Sequence, residues 1–432
     1  MSQPRSPVPP ALRAWGEALA TVVAGTAVML VVAALGLWAA GAGGLPGGAF
    51  PRVVVAVVVM AVGGSVALSG DAGFIAQTGA AIDVIPLSVT LAGSLVTAAV
   101  FLRPLRERAV TDVRELLGRV ARTAVLWLLL LVLLAVAARH TFTIPVGSGI
   151  EQDLGEALGA TPRIGFRTDV PPTLGFGLLW VLAVLALAFL VSRKAPLPSR
   201  LLHFQNSVRP PAFAMLLVLL GYVVIGLIAG LVVLVTQGHP AETLAVLLLG
   251  LPNLVWIALG VGMGGTWEGH VDQAIGLPMP HVLDEVLRNR GADRTLDVSS
   301  IAQYDGRAWL LVAVAAVALL TAAFVAAVRS PVRTPAWRHA LEMAAAAAVS
   351  LLIVGLTTRI SARYGLSLIG IGDLGGGLGG EVSLEPRLFL LVAVAALWGL
   401  VTGYLGSLLA RRVRHRPGDV RDADSRPQDG GR

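Results

Sequence analysis

Long apolar runs, each about the length of a bilayer crossing and scarcely interrupted by charge, constrain this sequence more than any other feature. About 20 apolar residues in a helix cover the roughly 30 Å hydrocarbon core of a bilayer, where only helices and closed barrels satisfy every backbone polar group. The runs are too long and too continuous for barrel strands, which alternate in polarity over about 10 residues. Of 432 residues, 56% are hydrophobic and 14% charged, whereas an ordinary soluble domain carries about 25% charged residues. The sequence therefore predicts an all-α, polytopic integral membrane protein.

About ten hydrophobic segments are expected, at 18–41, 51–69, 84–102, 123–139, 173–192, 212–236, 242–262, 308–328, 340–358 and 387–410. The first begins with the look of an export signal, since Arg5 and Arg13 precede it and Ala40-Gly41-Ala42 resembles a cleavage site. It exceeds the 7 to 15 residues of a signal core, so an uncleaved anchor is the expectation.

The connections carry orientation, because basic loops mark the cytoplasm. Arg103, Arg106, Arg108, Arg114, Arg119 and Arg122 lie in one connection, and Arg193, Lys194, Arg200 and Arg209 in another. Arg329, Arg333 and Arg338 form a third group, and Arg411, Arg412, Arg414 and Arg416 a fourth. The stretches 70–83, 139–172, 263–307 and 359–386 are longer or glycine-rich, and acids match or outnumber bases in them, so they should face outward. The net charge of +7 rests on arginines beside apolar runs. It reads as topology and contact with membrane lipids, with no nucleic-acid partner.

The same order of segments and loops occurs twice, which divides the chain into a cytoplasmic segment 1–17, a membrane half 18–200, a similar five-segment half 201–415, and a disordered cytoplasmic tail 416–432. Duplicated membrane proteins often place substrate sites between repeats. Five crossings per half would invert the second half, yet the basic loops orient both halves alike. Either the charge rule fails in one half or one segment per half does not cross. The best candidates for broken or non-crossing segments are 51–69, interrupted by Gly63-Gly64, and 242–262, interrupted by Gly250-Leu251-Pro252-Asn253, because glycine and proline weaken helices. Two amphipathic surface helices are also expected, at Pro280–Arg290 and around Leu105–Val120.

Candidate chemistry is sparse. No Asp, Glu, His, Lys or Arg occupies a mid-segment position, where proton relays and ion-coupled carriers place them. Asn253 is the most polar interior residue; it serves either a cavity or the carbonyls freed by Pro252. Trp256 lies one turn on. Trp267, Glu268 and His270, with Asp272, His281, Asp284 and Glu285, form the densest set of functional side chains. Carboxylates and imidazoles can bind metal or exchange protons, but the spacing matches no strong motif, and solvated histidines beside an interfacial tryptophan are the simpler account. Gly370 to Gly375 spells GxGxxG without the strand and helix that a dinucleotide fold requires. No metal site, cofactor or catalytic set is expected. The GxxxG spacings at Gly226–Gly230 and Gly260–Gly264 permit close helix contact, within the chain or in a homodimer.

At Leu251-Pro252-Asn253-Leu254-Val255-Trp256, through Gly264-Gly265-Thr266-Trp267-Glu268-Gly269 to Gly276-Leu277-Pro278-Met279-Pro280-His281-Val282-Leu283-Asp284-Glu285, the chain resembles the streptophobe family of hydrophobic actinobacterial membrane proteins. Asp83 to Leu91 and Leu251-Pro252-Asn253 are loosely similar to actinobacterial PerM-like cell-division membrane proteins. Both resemblances imply the membrane class and carry over no catalytic or ligand residues. The functional expectation is a non-enzymatic inner-membrane accessory or scaffold, with a membrane-protein partner or a second copy. The alternatives are a carrier or channel for an uncharged or lipid-like solute built around the broken segments 51–69 and 242–262, with Asn253 as the residue to test, and an enzyme acting on a lipid-linked substrate through Glu268, His270, Asp272 and Asp284.

Overall fold

The computed structural model describes residues 10–45, 48–71, 76–107, 113–143, 163–192, 199–236, 238–271, 294–330, 334–368 and 379–414. The first half contains α1 (Pro10–Ala39), α2 (Ala49–Ala61), β1 (Val66–Asp71), β2 (Ala76–Val84), α3 (Leu87–Glu107), α4 (Val113–Ala137), β3 (His140–Thr143), β4 (Arg163–Thr168) and α5 (Val170–Val191). The second contains α6 (Ser199–Thr236), α7 (Pro240–Gly262), β5 (Trp267–Val271), β6 (Arg294–Leu296), a short α8 (Val298–Tyr304), α9 (Leu310–Arg329), α10 (Ala336–Thr357), β7 (Ile360–Leu368), β8 (Gly379–Pro386) and α11 (Leu388–Arg414). Among the described residues, nine helices are long and apolar enough to cross a membrane. The polytopic helical class stands. Large apolar side chains such as Leu133, Leu179, Ile228, Val317 and Leu397 lie on the exposed surface, where lipid rather than water is their compatible solvent.

The stretches expected as outer loops contain an eight-stranded antiparallel sheet, ordered β3-β4-β1-β2-β7-β8-β5-β6. Every strand is adjacent in sequence to a helix end or to its own hairpin partner, so the sheet gathers one end of the helices, here called the strand side. The 51–69 segment is correspondingly shorter than expected: its helix ends at Ala61 and Val66 already belongs to β1. Two further expectations change. The Leu105–Val120 pattern is divided between the end of α3 and the start of α4, and α7 runs unbroken through Pro252. The Pro280–Arg290 helix, the GxGxxG stretch and the tail fall outside the described residues.

The two halves share their helix packing. In the first, α1 packs on α2, α3 and α4, and α5 packs on α3 and α4; in the second, α6 packs on α7, α9 and α10, and α11 packs on α9 and α10. Each half has its own hydrophobic core, one around Met29, Phe101, Leu131 and Leu185, the other around Met215, Leu319, Leu351 and Leu391. Strand registers correspond as well. Val66 opposes Ile82 and Thr168 in the first half, and Trp267 opposes Leu296 and Pro386 in the second. His140 opposes Phe166, and Ile360 opposes Leu384. A Gly-Gly turn precedes β1 and β5 alike. Gly63 and Gly264 have φ of 90° and 95°, a conformation open to glycine without the steric cost of a Cβ. Gly64 N–H donates to Val59 C=O at 3.0 Å, and Gly265 N–H donates to Gly260 C=O at 2.8 Å.

Helices α2 and α7 keep to the strand side. Thr90, near the start of α3, donates its hydroxyl to Ala61 C=O at the end of α2. Pro51 and Arg52, at the other end of α2, line a groove with Val136, Ala137 and Arg139 at the strand-side end of α4. A 13-residue helix spans about 20 Å, short of a hydrocarbon core. Helix α7 is long enough to cross, but Leu247 sits beside Ser88 at the start of α3 and Gly262 beside Leu311 at the start of α9. Over that span it lies across the strand-side ends of both helices. At the far side, Arg119 bonds Glu17 at 2.6 Å, and the Arg329 guanidinium lies 4.2 Å from the Phe213 ring centroid.

Candidate functional site: the joint between the halves

The proline in α7 has a local consequence that determines what surrounds Asn253. Pro252 carries no N–H and its ring crowds the carbonyl four residues earlier, which strains the ladder on this turn. On the next helix, Ser88 donates its hydroxyl to Leu247 C=O at 3.0 Å and accepts from Leu251 N–H at 3.2 Å. Those are the two groups that an undisturbed α-helix pairs with each other, so a hydroxyl from the first half is set into the backbone ladder of the second.

Asn253 completes the joint. It is 6% exposed; its Oδ1 accepts from Leu87 N–H at 3.1 Å and its Nδ2 donates to Ile85 C=O at 2.9 Å. Leu87 N–H is one of the orphan donors of the first turn of α3, so the amide caps that helix from another part of the chain. Gly36 on α1 lets α7 approach closely, since a Cβ there would meet Leu249 within 2.6 Å. Gly226 and Gly230 on α6 similarly receive Val255 and Leu247. The first GxxxG spacing thus serves packing inside the chain. In the second, Gly264 lies beyond the end of α7 and forms the turn.

The other candidates do not converge on Asn253. Trp256 donates from Nε1 to Leu219 C=O at 3.1 Å and fastens α7 to α6. Trp267 is fully buried against Gly260 in the core of the second half, and its Nε1–H has no acceptor among the described residues. Glu268 pairs with Arg387, both about half exposed. His270 is exposed on β5, opposite Ser383. Asp272, His281, Asp284 and Glu285 lie outside the described residues. Among the described residues no group of three or more His, Asp or Glu side chains is arranged to hold a metal. A groove of about 550 Å³ is lined by Trp337, Ala340, Leu341, Leu400, Val401, Tyr404 and Leu405 between α10 and α11. It is an apolar surface groove, and none of the five candidates lines it.

Ser88, Trp398 and Arg387 were not identified from the sequence. Trp398 donates from Nε1 to Met263 C=O at 2.9 Å and holds the end of α7 against α11. Arg387 sits at the corner between β8 and α11 and donates its N–H to Thr266 C=O; its place directly after Glu385-Pro386 was the available signal. Asp297, at the start of α8, is a further titratable group with a defined role. It accepts from Ser300 N–H at 2.7 Å while its own N–H donates to Ser300 Oγ at 2.9 Å, a reciprocal capping box. Burial pushes its carboxyl up, but the hydrogen bonds from Ser299 and Ser300 outweigh that and hold it below its ordinary value.

The stretches of the streptophobe resemblance fall on α7, the Gly264-Gly265 turn and β5, with 276–285 outside the described residues. The two PerM-like stretches, Asp83–Leu91 and Leu251–Asn253, are the ones that meet at the joint. No protein-family model, curated protein or solved structure matches the chain.

Proposed function

We propose that this chain is a non-enzymatic multispanning protein of the plasma membrane, an accessory or scaffold built as a tandem repeat, with both termini in the cytoplasm. The observation that carries the reading is the engagement of Asn253: both ends of its buried side-chain amide bind backbone across the joint. A buried side chain engaged at both ends in this way stabilises a joint. The tandem-repeat part is supported by the shared packing and by the corresponding strand registers. Setting α7 aside from the nine long apolar helices leaves eight crossings, an even number that keeps the termini on one side. The basic connections then share the side opposite the strands, as the positive-inside rule requires.

Reporter fusions after residues 115, 200, 335 and 415 should report the cytoplasm, and a fusion after 285 the outside. A cytoplasmic signal at 285 would overturn the parallel arrangement. Purified protein in proteoliposomes is expected to give no Asn253-dependent solute flux; uptake abolished by Asn253→Ala would replace the scaffold with a carrier.

A further inference from the structure

The halves are joined in a way that leaves the joint half used. In the sheet, β2 of the first half pairs with β7 of the second, giving the order β3-β4-β1-β2 followed by its counterpart β7-β8-β5-β6. The registers make β7 the counterpart of β3, and β6 the counterpart of β2. The outer edges are therefore a β7-like strand at one end and a β2-like strand at the other. Helix packing has the same polarity. The second-half helix α7 packs on α1 and α3, but no comparable packing of its counterpart α2 on α6 and α9 is present among the described residues. A two-fold arrangement would form both contacts. This one is head-to-tail, and such interfaces repeat until they close a ring or extend as an array.

Burial records the missing neighbour. Helix α1 buries Ala33, Gly36 and Ala39 in its strand-side half, whereas α6 buries no residue beyond Tyr222. Leu87, at the start of α3 beneath α7, is 3% exposed; at the start of α9, Trp309 and Leu310 are 60% and 62% exposed. On α2, Pro51-Arg52 stands where α7 carries Pro252-Asn253, counted back from the Gly-Gly turn, and both Pro51 and Arg52 face outward.

We infer that a second copy of this chain docks head-to-tail, laying its β3 on the edge of β6 that has no partner strand among the described residues and its α2 against the start of α9, so that the joint inside the chain recurs between chains. Unpaired strand edges are templates for such pairing. The register follows from the internal one. Ile82 opposes Ala362 across β2 and β7; Leu296 is the counterpart of Ile82, and Phe142, two residues into β3 from His140, is the counterpart of Ala362. Leu296 should therefore oppose Phe142, and Thr295 should oppose Thr143. The inference rests on the tandem-repeat reading.

The chain has no cysteine, so introduced thiols report without background. Two differently tagged full-length chains, one Leu296→Cys and one Phe142→Cys, would be co-expressed and treated in membranes with an oxidant and, separately, a short bismaleimide. Thr295→Cys with Thr143→Cys forms the second in-register pair, because adjacent positions on a ladder differ in separation. A product carrying both tags is expected, with roughly tenfold less from the off-register pair Leu296→Cys and Thr141→Cys, since a one-residue slip turns side chains to opposite faces. Ile82→Cys with Ala362→Cys in one chain is the companion measurement and should link internally. An internal link with no two-tag product would overturn the docking and leave the repeat intact. Failure of both would remove both, and a Leu296–Phe142 link within one doubly substituted chain would replace docking by closure of the sheet on itself.

Discussion

The amide of Asn253 on α7 caps the first turn of α3 by accepting from Leu87 N–H at 3.1 Å, while its other end donates to Ile85 C=O. Two stretches separated by more than 150 residues in sequence are thus held by one side chain. Asn253→Ala leaves a buried donor and a half-buried acceptor without partners, at a cost of about 1–3 kcal/mol. The melting temperature of the detergent-solubilised protein should fall, and Ser88→Ala should fall less because the Leu247 and Leu251 groups can pair with each other. Equal losses in the two variants would contradict the assignment of Asn253 as the principal clasp.

Helices α10 and α11 meet through Gly399 and Gly403. A Cβ at Gly399 would lie 2.6 Å from the Ala344 Cα, and one at Gly403 would lie 2.9 Å from the Ala340 Cα. Backbone cannot yield as a flexible side chain does, so Gly399→Ala should destabilise by about 1–3 kcal/mol through overpacking. Gly16→Ala, where no neighbouring atom lies within 4 Å of the new methyl, is the control and should be neutral or slightly stabilising through helix propensity. Thermal unfolding of both in one detergent decides the matter.

The Asp297 cap carries a defined pH dependence. Its folded carboxyl lies below its ordinary value, so its contribution is complete above the unfolded carboxylate range and is lost as pH falls through the folded value. Asp297→Ala should cost about 1 kcal/mol at neutral pH, and that difference from the parent should shrink as the medium is acidified. A difference growing toward low pH has the wrong sign for this cap. Hydrogen exchange at Ser300 reads the local effect directly.

The Glu268–Arg387 pair is half exposed on both partners, and such pairs contribute about 0–1 kcal/mol. A double-mutant cycle with Glu268→Gln and Arg387→Gln should return a coupling inside that range, weaker in high salt. A coupling of several kcal/mol would show that this corner is shielded from water and would restore Glu268 as a candidate for chemistry.

The membrane helices were legible because bilayer thickness imposes a length on apolar runs, and α4, α9 and α11 met that length plainly. The sheet was not. β2 reads Ala-Gln-Thr-Gly-Ala-Ala-Ile-Asp-Val and β8 opens on Gly-Gly, so small residues blur the alternation that marks a half-buried strand. These strands are specified by partners far along the chain, as when Gly79 meets Gly365. The interruption at Gly250 to Asn253 was legible too, but its effect was not local. Pro252 did not break α7, which runs from Pro240 to Gly262, and Ser88 from another helix bonds the turn just before it. The candidate cluster dispersed for a related reason: Trp267 begins a strand whose inward face belongs to the core, while Glu268 and His270 alternate outward.

Strands β2 and β7, nine residues each and paired along their whole length, span the boundary between the halves. Any rocking of one half against the other would have to bend or unzip that ladder, together with the Asn253 clasp. Alternating-access carriers depend on easy relative motion at such a boundary. In this molecule a cross-brace of ladder and amide lies at that boundary, so force applied to one half loads the β2–β7 hydrogen bonds and the Asn253 clasp before anything else between the halves.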